Sequence, residues 1–252
     1  MERTDRAPSL TFFAPEPLTA GVGITLGDDA AQHARVLRIG AGAMVGLRDG
    51  KGAAARGVIS RMAKRSLTVD VSDTWRIPDL PPVHMLVPVA DRDRMLLLAE
   101  KCTELGATSW RPVIWRRSRS VGPAGDGPAF QSRLKGRMAS ALTQSGGGWM
   151  PEIHPSAPVS RAIAAAPEGL RVLLDADAPE ALALTSLTAP LSIAVGPEGG
   201  LDPRERDELI EGGFTPLSLV GNTLRFETAA IAALAIARSL LGRNPEEGID
   251  DE

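Results

Sequence analysis

Three prolines within seven residues, Arg76-Ile-Pro-Asp-Leu-Pro-Pro82, dictate an extended connection, because each ring fixes φ and removes an N–H that a helix or central strand would need. The 252-residue chain therefore reads as two parts with different patterning. Ahead of the prolines the apolar runs are short, at residues 10–13, 22–26, 44–47, 53–59 and 66–71, and one helix is expected over 29–38. Asp49-Gly50 is a tight-turn dipeptide, and Leu67, Val69 and Val71 alternate with polar residues as a half-buried strand does. Residues 1–75 thus read as a small β-barrel, with 76–82 as the linker.

Beyond the linker, strand and helix alternate. An apolar strand over 83–89 precedes a helix with Met95, Leu98, Cys102 and Leu105 at helical spacing, stopped at Gly106. A strand over 110–115, a Pro/Gly-rich loop over 121–128 and a helix over 130–142 follow, then buried-strand candidates at 170–174 and 191–195. Asp202-Pro203-Arg204-Glu205 carries an N-cap residue, a proline at the first helical position and a carboxylate at the third, so a helix should run from there to Glu211. A last strand at 214–219 and a last helix at 227–241 complete the pattern. Such alternation predicts an α/β domain over 83–243 with a mostly parallel sheet covered on both faces. Residues 244–252, with five acids among nine, read as a disordered tail.

Composition excludes several classes. No apolar run reaches the length that spans a bilayer, and the first ten residues lack an apolar signal core. One cysteine, Cys102, cannot form a disulfide within the chain, and His33, His84 and His154 have no zinc-ligand spacing. The expectation is a cytoplasmic protein with no metal and no membrane partner. The net charge of −3 hides an asymmetry: the first 138 residues hold 21 Lys/Arg against 14 Asp/Glu, and the remainder 7 against 17. A basic first half suits a polyanion. Arg35, Arg38, Lys51 and Arg56, with Arg116, Arg117 and Arg119, are candidates to hold phosphates, or else form a solvated face. Trp149 is either a base-stacking residue or core.

Two segments carry the chemistry. Leu191-Ser-Ile-Ala-Val-Gly-Pro-Glu-Gly-Gly-Leu-Asp-Pro203 is a buried strand opening into a glycine-rich loop and a capped helix, the place where α/β sheets bind ligands. The loop is neither a P-loop nor G-x-G-x-x-G, so it is either a ligand loop of another kind or a plain turn. Leu217-Ser-Leu-Val-Gly-Asn-Thr-Leu-Arg-Phe-Glu-Thr-Ala-Ala230 repeats the arrangement, with Arg225 and Glu227 at the junction of loop and helix. Glu227 is also what a helix macrodipole favours, and Arg225 is also what a loop-bracing ion pair would use.

Val195-Gly-Pro-Glu-Gly-Gly-Leu201 followed by Leu219-Val-Gly-Asn-Thr-Leu-Arg-Phe-Glu-Thr-Ala-Ala230 resembles the paired signature of the 16S ribosomal RNA uridine N3-methyltransferases, members of the trefoil-knotted SPOUT class. His33-Ala-Arg-Val-Leu-Arg38, Asp49-Gly-Lys-Gly52, Glu100-Lys-Cys-Thr-Glu-Leu-Gly106, Arg117-Ser-Arg-Ser120, Gln144-Ser-Gly146 and Pro151-Glu-Ile153 extend the resemblance over roughly residues 12 to 241. It implies a PUA-like β-barrel ahead of a knotted α/β methyltransferase domain, a homodimer, and transfer of a methyl group from S-adenosylmethionine to N3 of a uridine of 16S RNA in the small ribosomal subunit. The almost uncharged helix Thr228 to Leu241 would serve as dimer interface or as ordinary core.

By the same resemblance, Leu173 and Leu174 would form one wall of the cofactor pocket, Gly196, Glu198 and Gly199 a second, and Leu219, Gly221, Leu224 and Arg225 a third. Glu227 would accept the N3 proton and Arg225 would stabilise the charge developing on the uracil oxygens. The chain departs from the family pattern at Thr11, at Thr143 and Gly147, where an acid and an arginine are usual, and at Asn222 and Thr223, where a base is common. Two other classes stay open at this level: a non-catalytic RNA-binding assembly factor that keeps the fold, and an α/β enzyme for another nucleotide cofactor.

Overall fold

A computed structural model of the chain describes residues 8, 10–118, 127–219 and 221–242. Arg119, much of the Pro/Gly-rich loop and the acidic tail lie outside the described residues. The chain divides into two compact units, one of residues 1–79 with 139–150 and one of 80–138 with 151–252.

In the first unit, β1 (Thr11–Phe13), β2 (Gly23–Leu26), β3 (Met44–Arg48), β4 (Ala53–Met62) and β5 (Leu67–Arg76) pair in the order β1-β3-β4-β5-β2. Only β1 and β3 run parallel among these pairs. No pairing joins β1 to β2 among the described residues, so the hydrogen-bonded path is open. The core is nevertheless barrel-like, since Phe12, Ile24, Leu26, Val45, Leu47, Ala55, Ile59, Leu67, Val69 and Val71 bring all five strands onto one cluster. Ala34 of α1 (Asp28–Val36) closes it.

The sequence boundary in 76–82 misses a return of the chain, because residues 139–150 group with this first unit. The physical reason is Trp149. Its indole N–H donates to the Ile77 carbonyl at 3.1 Å, and the Arg76 guanidinium lies 4.7 Å from its ring centroid. Backbone bonds from Met150 to Gly50 and from Gly52 to Gly148, both 2.9 Å, complete the docking. Trp149 is thus committed to packing. Thr143 returns its hydroxyl to the Ser140 carbonyl of its own helix at 3.0 Å.

The second unit contains β6 (Val83–Pro88), α2 (Arg92–Glu104), β7 (Ser109–Ile114), most of α3 (Pro128–Ser145), β8 (Glu152–Ile153), β9 (Ala157–Pro158), α4 (Val159–Ala164), β10 (Leu170–Leu174), β11 (Leu191–Val195), α5 (Pro203–Glu211), β12 (Thr215–Leu217) and α6 (Phe226–Leu241). Its strands run β12-β10-β11-β6-β7-β8, with β9 beside β7, and every pair is parallel. The two central strands, β6 and β11, are nearly continuous in apolar residues, as a sheet covered on both faces requires. The last strand is shorter than its apolar run predicts, since pairing with β10 extends only from Thr215 to Leu217. The short elements β8, β9 and α4 escape sequence reading because two to six residues carry too little period.

Two helix ends fit their sequence signals closely. Gly106 takes φ +71° just past α2, and Ala107 N–H bonds back to the Cys102 carbonyl at 2.8 Å. Asp202 and Glu205 form a reciprocal capping box on α5, with Pro203 at the first position. Arg238 of α6 donates Nε to the Leu105 carbonyl at 3.0 Å and its terminal nitrogens to the carbonyls of Pro81 and Gly106. Burial pushes this guanidinium down to about 10. It joins the end of α2 to α6 by satisfying carbonyls that would otherwise lack donors. No helix among the described residues is long and apolar enough to cross a membrane.

Candidate active site

Because β10, β11 and β12 are parallel, their carboxyl ends share one edge of the sheet, and the segments leaving them enclose a cleft of about 580 Å³. Its walls are Leu174 to Asp177 after β10, Val195 to Glu198 with Gly200 and Leu201 after β11, and Leu219 with Asn222 to Leu224 after β12. Phe226 and Ala229 of α6 and Arg206 of α5 complete the lining. The character is mixed. Leucines and Phe226 give apolar surface, Leu224 standing 38 % exposed, while Asp175, Asp177 and Glu198 gather acids at one place. Arg206 pairs with Asp175 at 2.9 Å.

The glycine loop is built for close approach. Pro197 accepts the N–H of Gly200 at 2.9 Å, and Gly200 takes φ +71°, a conformation costly for any residue with a Cβ. A Cβ at Gly199 would stand 3.2 Å from that of Arg117 and 3.3 Å from its carbonyl oxygen. Arg117 also donates to the Gly199 carbonyl at 3.4 Å, and the neighbouring Arg116 lies 3.6 Å from Asp202. Both arginines therefore sit beside the loop, with exposed side chains.

At the head of α6, Arg225 is the exposed N-cap residue, and its side chain makes no capping bond. Glu227, two residues on, is 6 % exposed. Its Oε2 is buried without a hydrogen-bond partner among the described residues. Oε1 faces Nε of Arg94 at 3.9 Å, and the same guanidinium pairs with Glu198 on the glycine loop. Arg94 stands in the first turn of α2, held there as Asp91 caps its backbone N–H at 3.2 Å.

Five of the cofactor candidates, Leu174, Gly196, Glu198, Leu219 and Leu224, line the cleft together. Leu173 is instead fully buried in the sheet core, and Gly199, Gly221 and Arg225 stand outside the lining. Sequence reading missed Arg94, Asp175, Asp177 and Arg206. No motif of the sequence marks Arg94; the fold brings three elements to it. In the first unit, Arg35 donates to the Lys64 carbonyl, Arg56 pairs with Asp73 at 3.0 Å, and Lys51 and Arg38 are exposed. Cys102 is buried, and desolvation pushes its thiol up, so it stays protonated and inert. No group of three His, Cys, Asp or Glu among the described residues could hold a metal ion.

Comparison with known proteins matches a family model of an RNA methyltransferase domain over residues 78–238 and one of an RNA methyltransferase PUA domain over 26–72. The chain is 31 % identical over 238 residues to the ribosomal RNA small subunit methyltransferase E of Mycobacterium tuberculosis, covering 90 % of each chain. It is 30 % identical to that of Synechocystis over 82 % of this chain and 69 % of the relative. The crystal structure of a ribosomal RNA small subunit methyltransferase E from Neisseria gonorrhoeae bound to S-adenosyl methionine matches with a TM-score of 0.83 at 26 % identity, over 92 % of this chain and 97 % of that one. With a cleft at the carboxyl edge of a parallel sheet, and with both family models in register with its two kinds of sheet, the chain belongs to the RNA methyltransferase family, a PUA-like domain preceding the methyltransferase domain.

Proposed function

We propose that the protein transfers the methyl group of S-adenosylmethionine to N3 of a uridine in 16S ribosomal RNA of the small subunit, acting as a cytoplasmic homodimer. The observation that carries this reading is the cleft itself, which combines leucine walls and loop backbone for an adenosyl group with Asp177, beside the paired Asp175 and Glu198, for a cationic ligand. Beside the cleft lining, Glu227 adds a buried carboxylate oxygen with no hydrogen-bond partner among the described residues, two residues from an exposed arginine.

Bound S-adenosylmethionine supplies an electrophilic methyl group on a sulfonium. Glu227 takes the N3 proton as the N3–carbon bond forms and the sulfur–carbon bond breaks, so one negative and one positive charge are consumed together. Arg225 faces the negative charge that develops on the neighbouring uracil oxygens during proton loss. Leu174, Gly196, Glu198, Leu219 and Leu224 hold the cofactor, with Leu173, Gly199 and Gly221 shaping the backbone behind them. Arg35, Arg38, Lys51, Arg56, Arg116, Arg117 and Arg119 position RNA through phosphates.

The test is incubation of the protein with S-adenosylmethionine and small subunits lacking the modification, then nucleoside mass spectrometry. Formation of 3-methyluridine is expected. Cofactor binding with no methyl transferred would favour the RNA-binding assembly factor, in line with the substitutions at Thr11, Thr143, Gly147 and Asn222. Methylation of a different nucleoside would move the chemistry away from N3.

A further inference from the structure

Arg94 belongs to no motif of the chain and lines no part of the cleft, yet it is the one described cation paired with both Glu198 and Glu227. Its side chain is 30 % exposed and that of Glu227 is 8 % exposed, so the contact is largely shielded from water and is weakened little by salt. The three partners come from different elements: the first turn of α2, the glycine loop after β11, and the first turn of α6.

This arrangement has a directional consequence. The guanidinium approaches Oε1 of Glu227, which leaves Oε2 as the buried oxygen without a hydrogen-bond partner among the described residues. A carboxylate drawn by charge toward a guanidinium on one side turns its other oxygen away, which biases the direction in which a proton acceptor is presented. The same guanidinium holds Glu198, whose loop lines the cofactor cleft. Seating the loop and aiming the base are then one event, set by one side chain.

We propose that Arg94 is a positioning residue of the methyl transfer, coupling the glycine loop through Glu198 to the orientation of Glu227. The proposal rests on the reading of Glu227 as the proton acceptor, but its link to the loop does not. Arg94→Met removes the charge while keeping most of the stem, and Arg94→Lys restores charge without the forked geometry.

Two measurements decide it. Calorimetric titration of S-adenosylmethionine into the wild type, Arg94→Met, Glu198→Gln and the double variant tests the loop link, whatever the RNA target. Each single change should weaken binding about five- to tenfold, with the double variant no weaker than either one, the mark of a shared contact. Single-turnover transfer to small subunits tests the aim of the base. Arg94→Met should lower the rate about 100-fold with KM for the subunit within about twofold, and Arg94→Lys should recover at least about tenfold of that loss.

Additive or absent effects on cofactor binding would overturn the loop link. Full rate in Arg94→Met, or equal losses in rate and KM with no rescue by lysine, would overturn the positioning of Glu227. Absence of 3-methyluridine from the wild type would defeat the functional reading alone, since the calorimetric cycle still judges Arg94.

Discussion

Oε1 of Glu205 accepts the backbone N–H of Arg116 at 2.7 Å, joining residues 89 positions apart. Oε2 of the same carboxylate accepts the N–H of Asp202 at 3.3 Å, so one buried side chain caps α5 and anchors the segment that leaves β7. That segment carries Arg117, against which Gly199 packs. Glu205 is therefore a keystone of the glycine loop although it touches none of the cleft.

Glu205→Ala should destabilise the protein by about 2–3 kcal/mol, because it strips partners from two backbone donors and removes a charge-assisted bond. At this chain length the melting temperature should fall by about 4–12 °C. Glu205→Gln keeps one acceptor oxygen of the two and sets its amide N–H2 against the other donor, so it should lose less than Glu205→Ala but more than half as much. Thermal denaturation of both variants checks the ordering, and equal losses would contradict it.

Arg38 is the described non-glycine residue with positive φ, at +57°, just past the end of α1. Ile39 N–H bonds to the Ala34 carbonyl at 2.8 Å across it, the closure at which glycine is usual. Arg38→Gly should stabilise the first unit by about 0.5–1 kcal/mol, whereas Arg38→Ala should leave stability nearly unchanged. Retaining an arginine in a costly conformation accords with a phosphate contact. Salt titration of RNA binding should then show a slope smaller by about 1 in the glycine variant. A less stable Arg38→Gly would contradict the backbone argument.

Much of this was legible in the sequence, and the reasons differ by element. Asp202, Pro203 and Glu205 announced α5 because capping chemistry is local, and the apolar runs at 83–89 and 191–195 announced β6 and β11 because buried parallel strands need no alternation. The docking of 139–150 onto the first unit was not legible. It depends on Trp149 meeting Ile77, 72 residues away, and no local pattern encodes such a meeting. The candidate site divides in the same way. Glu198, Gly196, Leu219 and Leu224 fall in two motifs that each span a strand end. Asp175 and Arg206 are ordinary charged residues until the parallel sheet gathers three strand ends at one edge, and Arg94 is one until α2 meets the glycine loop and the head of α6.

Two histidines of the second unit contribute to its loss of stability in mild acid. His84 Nδ1 lies 2.8 Å from Ser109 Oγ, and burial first, then the charge of His154, hold its imidazole below the usual 6.5, partly offset by Glu152. His154 is lowered by burial and then by Arg111, again offset by Glu152. With folded values lowered, the unfolded chain binds protons first as pH falls. Stability is therefore full above about pH 6.5 and is lost on descending through the folded values. Melting curves between pH 7.5 and pH 5 should show a shallower decline for His84→Asn than for the wild type. Identical slopes would remove His84 from the account.

The most direct test of the role proposed for Arg225 is single-turnover transfer from S-adenosylmethionine to small subunits by the wild type and Arg225→Ala, with cofactor affinity measured on the same samples. A rate about 100-fold lower or more is expected in the variant, with affinity within about threefold, because the proposed role of Arg225 is toward charge that exists only as the transfer proceeds. Rate and affinity falling by the same factor, or an unchanged rate, would contradict it.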